Sequence, residues 1–155
     1  MTSLKTPLRY PGGKSRACTK MDQYLLKVSD CKEYREPFLG GGSVAIHITK
    51  KYPHLDIWVN DLYEPLYNFW RVLQDTGADL AERIGELKSQ HPEFESAKDL
   101  FLKSKETVND YTETNLSRAV AFYIINKCSF SGLTESSSFS KQASVSNFSM
   151  RGIEK

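Results

Sequence analysis

The sequence predicts an α/β protein: part of a Rossmann-like parallel sheet, interrupted by a helical insertion. Two observations carry this. Residues 33–61 run strand, glycine turn, helix, strand, which is half of a doubly wound sheet. Residues 62–133 then show helical spacing of apolar side chains and no strand pattern.

Taken in order, Lys14 to about Val28 reads as a first helix, entered through the Pro11-Gly12-Gly13 turn. Glu33 to Phe38 reads as a short strand leading into Gly40-Gly41-Gly42. A helix follows from Ser43 to Lys51, with Val44, Ala45 and Ile48 on its apolar face. Ser43 is placed to satisfy free N–H groups at its start, and Pro53 closes it. Asp56 to Val59 is a second strand, rich in branched and aromatic residues and ending at Asn60-Asp61. Residues 1–61 thus form one unit.

The next unit, residues 62–133, is helical. Leu66, Phe69, Trp70 and Leu73 mark one helix over Leu62–Leu73, and Thr76-Gly77 breaks it. Leu80, Ile84 and Leu87 mark a second, ending before Pro92. Phe94, Phe101 and Val108 mark a third, and Leu116 to Asn126 a fourth, led by Val120, Tyr123 and Ile124. Residues 134–155 form the serine-rich end. Nine serines fall within 129–149, with irregularly spaced aromatics, so the segment reads as flexible or as an ordered extended loop.

Composition bounds the function. Hydrophobic residues make up 39% and charged residues 26%, a globular balance. Cys18, Cys31 and Cys128 are odd in number and lack C-x-x-C spacing, and His47, His54 and His91 are scattered. Neither a disulfide framework nor a metal site is expected, which fits a reducing, cytoplasmic setting. No apolar leader or membrane-length stretch is present. Net charge is +2, yet Lys5, Arg9, Lys14, Arg16 and Lys20 cluster in the first twenty residues without an acid. Such a cluster suits phosphates of nucleic acid or of a nucleotide, or is simply a solvated basic terminus.

The sharpest local pattern is Gly40-Gly41-Gly42-Ser43-Val44-Ala45, a G-x-G-x-x-A after a predicted strand. Glycines there let the backbone turn tightly and approach a ligand, and the helix that follows offers free N–H groups. Asp61 lies 19 residues past Gly42 at the end of the next strand. A carboxylate at that place overhangs the same crevice and can accept hydrogen bonds from ribose hydroxyls. NAD and S-adenosylmethionine both fit this geometry. A plain glycine loop with a helix-capping aspartate is the structural alternative.

Leu8-Arg9-Tyr10-Pro11-Gly12-Gly13-Lys14 is not a Walker A loop, because position 8 is Leu where the first glycine is needed. It resembles the opening motif of the D12, or alpha (Dam-like), class of DNA adenine-N6 methyltransferases. Glu36-Pro37-Phe38-Leu39-Gly40-Gly41-Gly42-Ser43 is similar to that family's P-F-x-G-x-G-S motif. Val59-Asn60-Asp61 resembles its ribose-binding acid. Phe122 to Leu133 resembles its F-x-x-x-N-x-x-x-F-x-G-L stretch. Four motifs stand in family order.

The resemblance implies an S-adenosylmethionine-dependent methyltransferase sheet and the following roles. Tyr10 and Lys14 line the donor pocket with Phe38 beside it, and Gly40 and Gly42 form the turn under the methionine moiety. Asp61 holds the ribose, and Arg9 touches double-stranded DNA. Aromatic faces suit a sulfonium cation and adenine stacking. The helical insertion would serve DNA recognition, and no catalytic residue is assigned. The family's D-P-P-Y motif is absent, since the prolines stand at 7, 11, 37, 53, 65 and 92 only. Its groups accept hydrogen bonds from adenine N6 and stack on the flipped base. Gly132-Leu133-Thr134-Glu135-Ser136 also departs from the family, which puts DNA contacts there in doubt. The chain is thus expected to be an N-terminal portion, inactive alone, that self-associates or depends on a C-terminal portion. The other readings are a non-catalytic donor- or DNA-binding module and an NAD enzyme. The Tyr10–Lys14 block and Pro37 fit the last poorly.

Overall fold

The computed structural model describes residues 5–25, 28–132 and 136–153. Strands β1 (Glu33–Glu36) and β2 (Asp56–Val59) pair in parallel, with Glu33 opposite Asp56 and Glu36 opposite Val59. Helix α2 (Ser43–Lys51) connects them, so the order strand, turn, helix, strand stands as expected. β1 ends two residues before the expected Phe38: past Glu36 the chain bends, and the next bond to the neighbouring segment comes from Leu39 N to Asn60 O at 2.9 Å. One face of each strand is half-buried and the other exposed. The inner face, with Tyr34 and Ile57, packs on Cys18, Val44, Ile48 and Leu55, a small core.

The expected helix from Lys14 to Val28 is corrected. It contains only α1 (Cys18–Met21), followed by a 3-10 turn over Asp22–Tyr24. The cause is long-range: Asp22 is drawn to His47 at 2.8 Å and Lys51 at 2.8 Å on α2, and the chain tightens there. Part of the expected span lies outside the described residues. Ser43 does not cap α2 either; its hydroxyl meets that of Ser15 at 2.8 Å, and the helix starts from Gly42 in the left-handed region.

The helical unit is built from α3 (Glu64–Gln90), α4 (Phe94–Thr107) and α5 (Asn115–Cys128). Pro65 opens α3, where a missing N–H costs nothing. The expected break at Thr76-Gly77 is a kink inside one helical run: Thr76 has φ −141° and ψ 45°. Phe69, Leu80, Ile84, Phe101, Phe122, Ile124 and Ile125 make the large core, and Leu8 joins it from the N-terminal segment. Arg118, 4% exposed, pairs with Glu64 and lies 4.2 Å over the Tyr111 ring, so the buried cation is matched. Among the described residues no helix is long and apolar enough to cross a membrane.

The serine-rich end is not an extended segment throughout. Ser129 and Phe139 form an antiparallel bridge, and α6 (Lys141–Ser146) and α7 (Met150–Ile153) follow. The Ser140 hydroxyl caps α6 by accepting from Ala143 N, and Phe148 is fully buried against the helical core. Leu133, Thr134 and Glu135 lie outside the described residues.

Candidate functional site

Tyr10 to Gly13 is a tight turn. Pro11 and Gly12 fill its centre, Gly12 has φ +72°, and Gly13 N donates to Tyr10 O at 2.9 Å. The turn carries Tyr10 onto the glycine loop after β1. There Gly40 and Gly42 have φ +53° and +70°, and Gly42 N donates to Leu39 O at 3.0 Å. A Cβ on Gly41 would lie 2.7 Å from Tyr10 Cβ, and one on Gly42 would lie 2.7 Å from the Trp70 ring. The glycines are therefore demanded by the chain's own aromatic side chains as well as by the left-handed backbone.

Tyr10, Lys14, Phe38, Gly40 and Gly42 line one cleft of about 260 Å³. Tyr10 is half-open, and Phe38 stands at the rim, 82% exposed. Asp61 is not part of the cleft wall. It braces the turn from beside it: Oδ2 accepts from Gly40 N at 2.8 Å and Oδ1 from Tyr63 N at 3.0 Å. Each oxygen keeps a lone pair for another donor. Burial, and secondarily the charge of Asp61, raises the Tyr10 phenol above its usual range, so it stays protonated.

Two residues that no local pattern singles out complete the cleft region. Glu36 points to the same sheet face as Tyr34, as residues two apart in a strand must. Its carboxylate accepts from the Tyr34 hydroxyl at 3.2 Å and from the Ala45 amide at the start of α2. Burial pushes its carboxyl up, against the pull of those two donors and of nearby Lys14. Trp70, expected only as a core residue, donates from its indole to Gly40 O at 3.1 Å and locks the loop to α3.

Arg9 lies outside the cleft. Its guanidinium donates to Ser129 O at 2.8 Å and Asn126 O at 3.5 Å, at the C-terminal end of α5, where a cation is favoured. A separate cavity of about 490 Å³ between α3 and α5 holds none of the expected cofactor residues. Chemistry rather than volume marks the smaller cleft as the candidate. Among the described residues no group of His, Cys, Asp and Glu could hold a metal ion.

Residues 10–153 match the D12 class N6 adenine-specific DNA methyltransferase family. The chain belongs to that family. The match spans the cleft, the helical unit and both short C-terminal helices. The Type II methyltransferase M.MjaIII of Methanocaldococcus jannaschii is 29% identical over 140 residues, covering 84% of this chain and 47% of the relative. The chain thus spans about half the length of the curated relative it matches.

Proposed function

We propose that the chain is the donor-binding N-terminal portion of a DNA adenine-N6 methyltransferase, with S-adenosylmethionine in the Tyr10–Gly42 cleft. The carrying observation is Glu36. In a dinucleotide site the free N–H groups at a helix start bind pyrophosphate. Here Glu36 already occupies that place through the Ala45 amide, so a pyrophosphate would meet a carboxylate. A ligand with an ammonium and a sulfonium instead finds an anion and the open Tyr10 face. The two uncommitted lone pairs of Asp61 suit ribose hydroxyls.

In this reading residues 1–61 bind the donor, 62–133 recognise double-stranded DNA, and 134–155 lead on to the rest of a Rossmann-like sheet. Arg9 keeps N–H donors for a DNA phosphate or base. When bound, the donor supplies an electrophilic methyl group. The residues of this chain hold and orient it, while the groups that activate adenine N6 belong to a D-P-P-Y these 155 residues lack. A second reading, a donor-binding module without catalysis, makes the same use of the cleft.

Calorimetry with S-adenosylmethionine, its demethylated product and NAD tests the donor. Binding of the first two and not NAD is expected; NAD binding alone would refute the assignment. Asp61→Ala should cost about 1.5–3 kcal/mol of donor affinity, the scale of hydrogen bonds to a charged group. It also frees the Gly40 and Tyr63 amides, so some melting-temperature loss accompanies it. Full affinity with early melting would reduce Asp61 to a brace. A methyl-transfer assay separates the two readings: the chain extended through a D-P-P-Y should form N6-methyladenine, and the 155 residues alone should not.

A further inference from the structure

Asn126 is 1% exposed at the end of α5, and its side chain joins two other segments. Oδ1 accepts from Arg9 N at 2.9 Å, while Nδ2 donates to Arg9 O at 2.7 Å and to Gly132 O at 2.9 Å. One amide N–H and two carbonyls fix which end of the side chain is oxygen. With Arg9 it makes the paired bonds of a strand neighbour. The Arg9 side chain then returns to Ser129 O, so residue 9 is held by backbone and side chain together. Leu8, 5% exposed, is locked in the helical core. The position of Tyr10, one residue on, is therefore inherited from α5. On the far side, a Cβ on Gly132 would lie 2.7 Å from Arg9 Cβ and from Arg9 O. The turn Phe130–Gly132, whose Phe130 is 70% exposed, is seated directly on the Arg9 backbone.

We infer that Asn126 is a positioning residue: through Arg9 it holds Tyr10 on the glycine loop and couples the cofactor cleft to the exposed Phe130 turn. Whatever occupies the cleft and whatever touches that turn bias one shared arrangement, and the bias is reciprocal. The functional meaning of the coupling rests on reading the cleft as the donor site. No other side chain reproduces the pattern. Asp would turn a carboxylate onto two carbonyl oxygens, and Leu would leave all three backbone groups without a partner.

The test has a ligand-free arm. The Tyr10 side chain lies against Gly40 and Gly41, so its ring current should shift the NMR resonances of their amides. Asn126→Asp should move those resonances in the direction that Tyr10→Ala moves them, while α3 and α4 amides stay in place. Gly132→Ala, which pushes on Arg9 and keeps Asn126 itself unchanged, should move them too and serves if Asn126→Asp does not fold. Unmoved glycine resonances in either folded variant would overturn the inference, whatever the cleft binds. The second arm titrates the demethylated donor. Asn126→Asp should lose on the order of tenfold affinity, and combining it with Tyr10→Ala should cost no more than the worse single change, because one acts through the other. Multiplying losses would overturn the inference. Failure of the unaltered chain to bind would sink the donor reading and leave the NMR arm to decide this one.

Discussion

The helical unit and the glycine-loop unit are stabilised in different ways. α3, α4 and α5 enclose Phe69, Phe101, Phe122, Ile124 and Ile125, all at 2% exposure or less. The sheet and α2 bury little beyond Cys18, Val44, Ile48 and Leu55, while Tyr10, Phe38 and Trp58 stay at least 43% exposed. The smaller unit borrows its order from the larger through Trp70, Leu8 and Asn126. A closed core supplies stability, and an open cleft of aromatics, glycines and one half-buried carboxylate supplies binding. Among the described residues the sheet has two strands, and Trp58 on its outer face is exposed.

The largest effect should separate the units. Phe69→Ala removes a ring that packs on Phe122, Tyr123 and Trp70, and should cost about 3–5 kcal/mol. Because Trp70 holds Gly40, the glycine loop should loosen with it. Ile48→Ala should cost about 2–5 kcal/mol and loosen the small unit first. Amide exchange distinguishes them: protection in α5 should fall in the Phe69 variant and survive in the Ile48 variant. Equal loss of α5 protection in both would mean that there is one cooperative core and that the comparison is wrong.

A smaller effect tests the loop itself. Gly42→Ala puts a side chain at φ +70°, worth about 1–2 kcal/mol. The new Cβ would also press the Trp70 ring, 2.7 Å away. Trp fluorescence should change and donor affinity should fall with little loss of helix signal. Gly12→Ala meets no atom within 4 Å and pays only for its backbone, φ +72°. If the two variants behave alike, Trp70 does not brace the loop.

What was legible in the sequence follows the same division. α2, β2, α4 and α5 could be read because their apolar spacing is local and their breakers, Pro53 and Pro92, are unambiguous. The glycine turn could be read from residue types and order, and its aromatic partner Tyr10 only from the family resemblance. What could not be read depends on distant pairs. Asp22 turns the first helix aside because it meets His47 and Lys51. Asn126 bonds to a residue 117 positions away. Glu36 gains its meaning only when the start of α2 comes to rest on it. The serine-rich end hid two short helices because composition there is polar, while Phe139 and Phe148, which anchor it, are too far apart to show a period.

The last predicted effect lies in the helical unit and concerns Lys127. Its ammonium sits 5.1 Å from the centre of the Tyr123 ring, beside the cavity between α3 and α5. Burial, with the nearby charge of Arg9, lowers its pKa to about 8. An unfolded lysine titrates near about 10.4. Below about pH 8 both states carry the proton, and the folded state bears the full cost of the buried charge. Between the two values only the unfolded state keeps its proton, so rising pH favours folding. Tyr123 and Cys128, both pushed up to about 12, stay neutral when folded but ionise in the unfolded chain as pH rises, which favours unfolding. This contribution is common to the unaltered protein and a Lys127 variant and cancels in their difference. Lys127→Met, an apolar chain of similar length, should therefore be more stable than the unaltered protein at pH 7. Its advantage should shrink steadily from pH 8 to pH 10, read as the difference between paired denaturant melts. Only one proton is at stake, so the difference can change by at most about 1.4 kcal/mol for each pH unit. A stability difference that does not vary with pH would place Lys127 in water and make this face of the helical unit as open as the cleft.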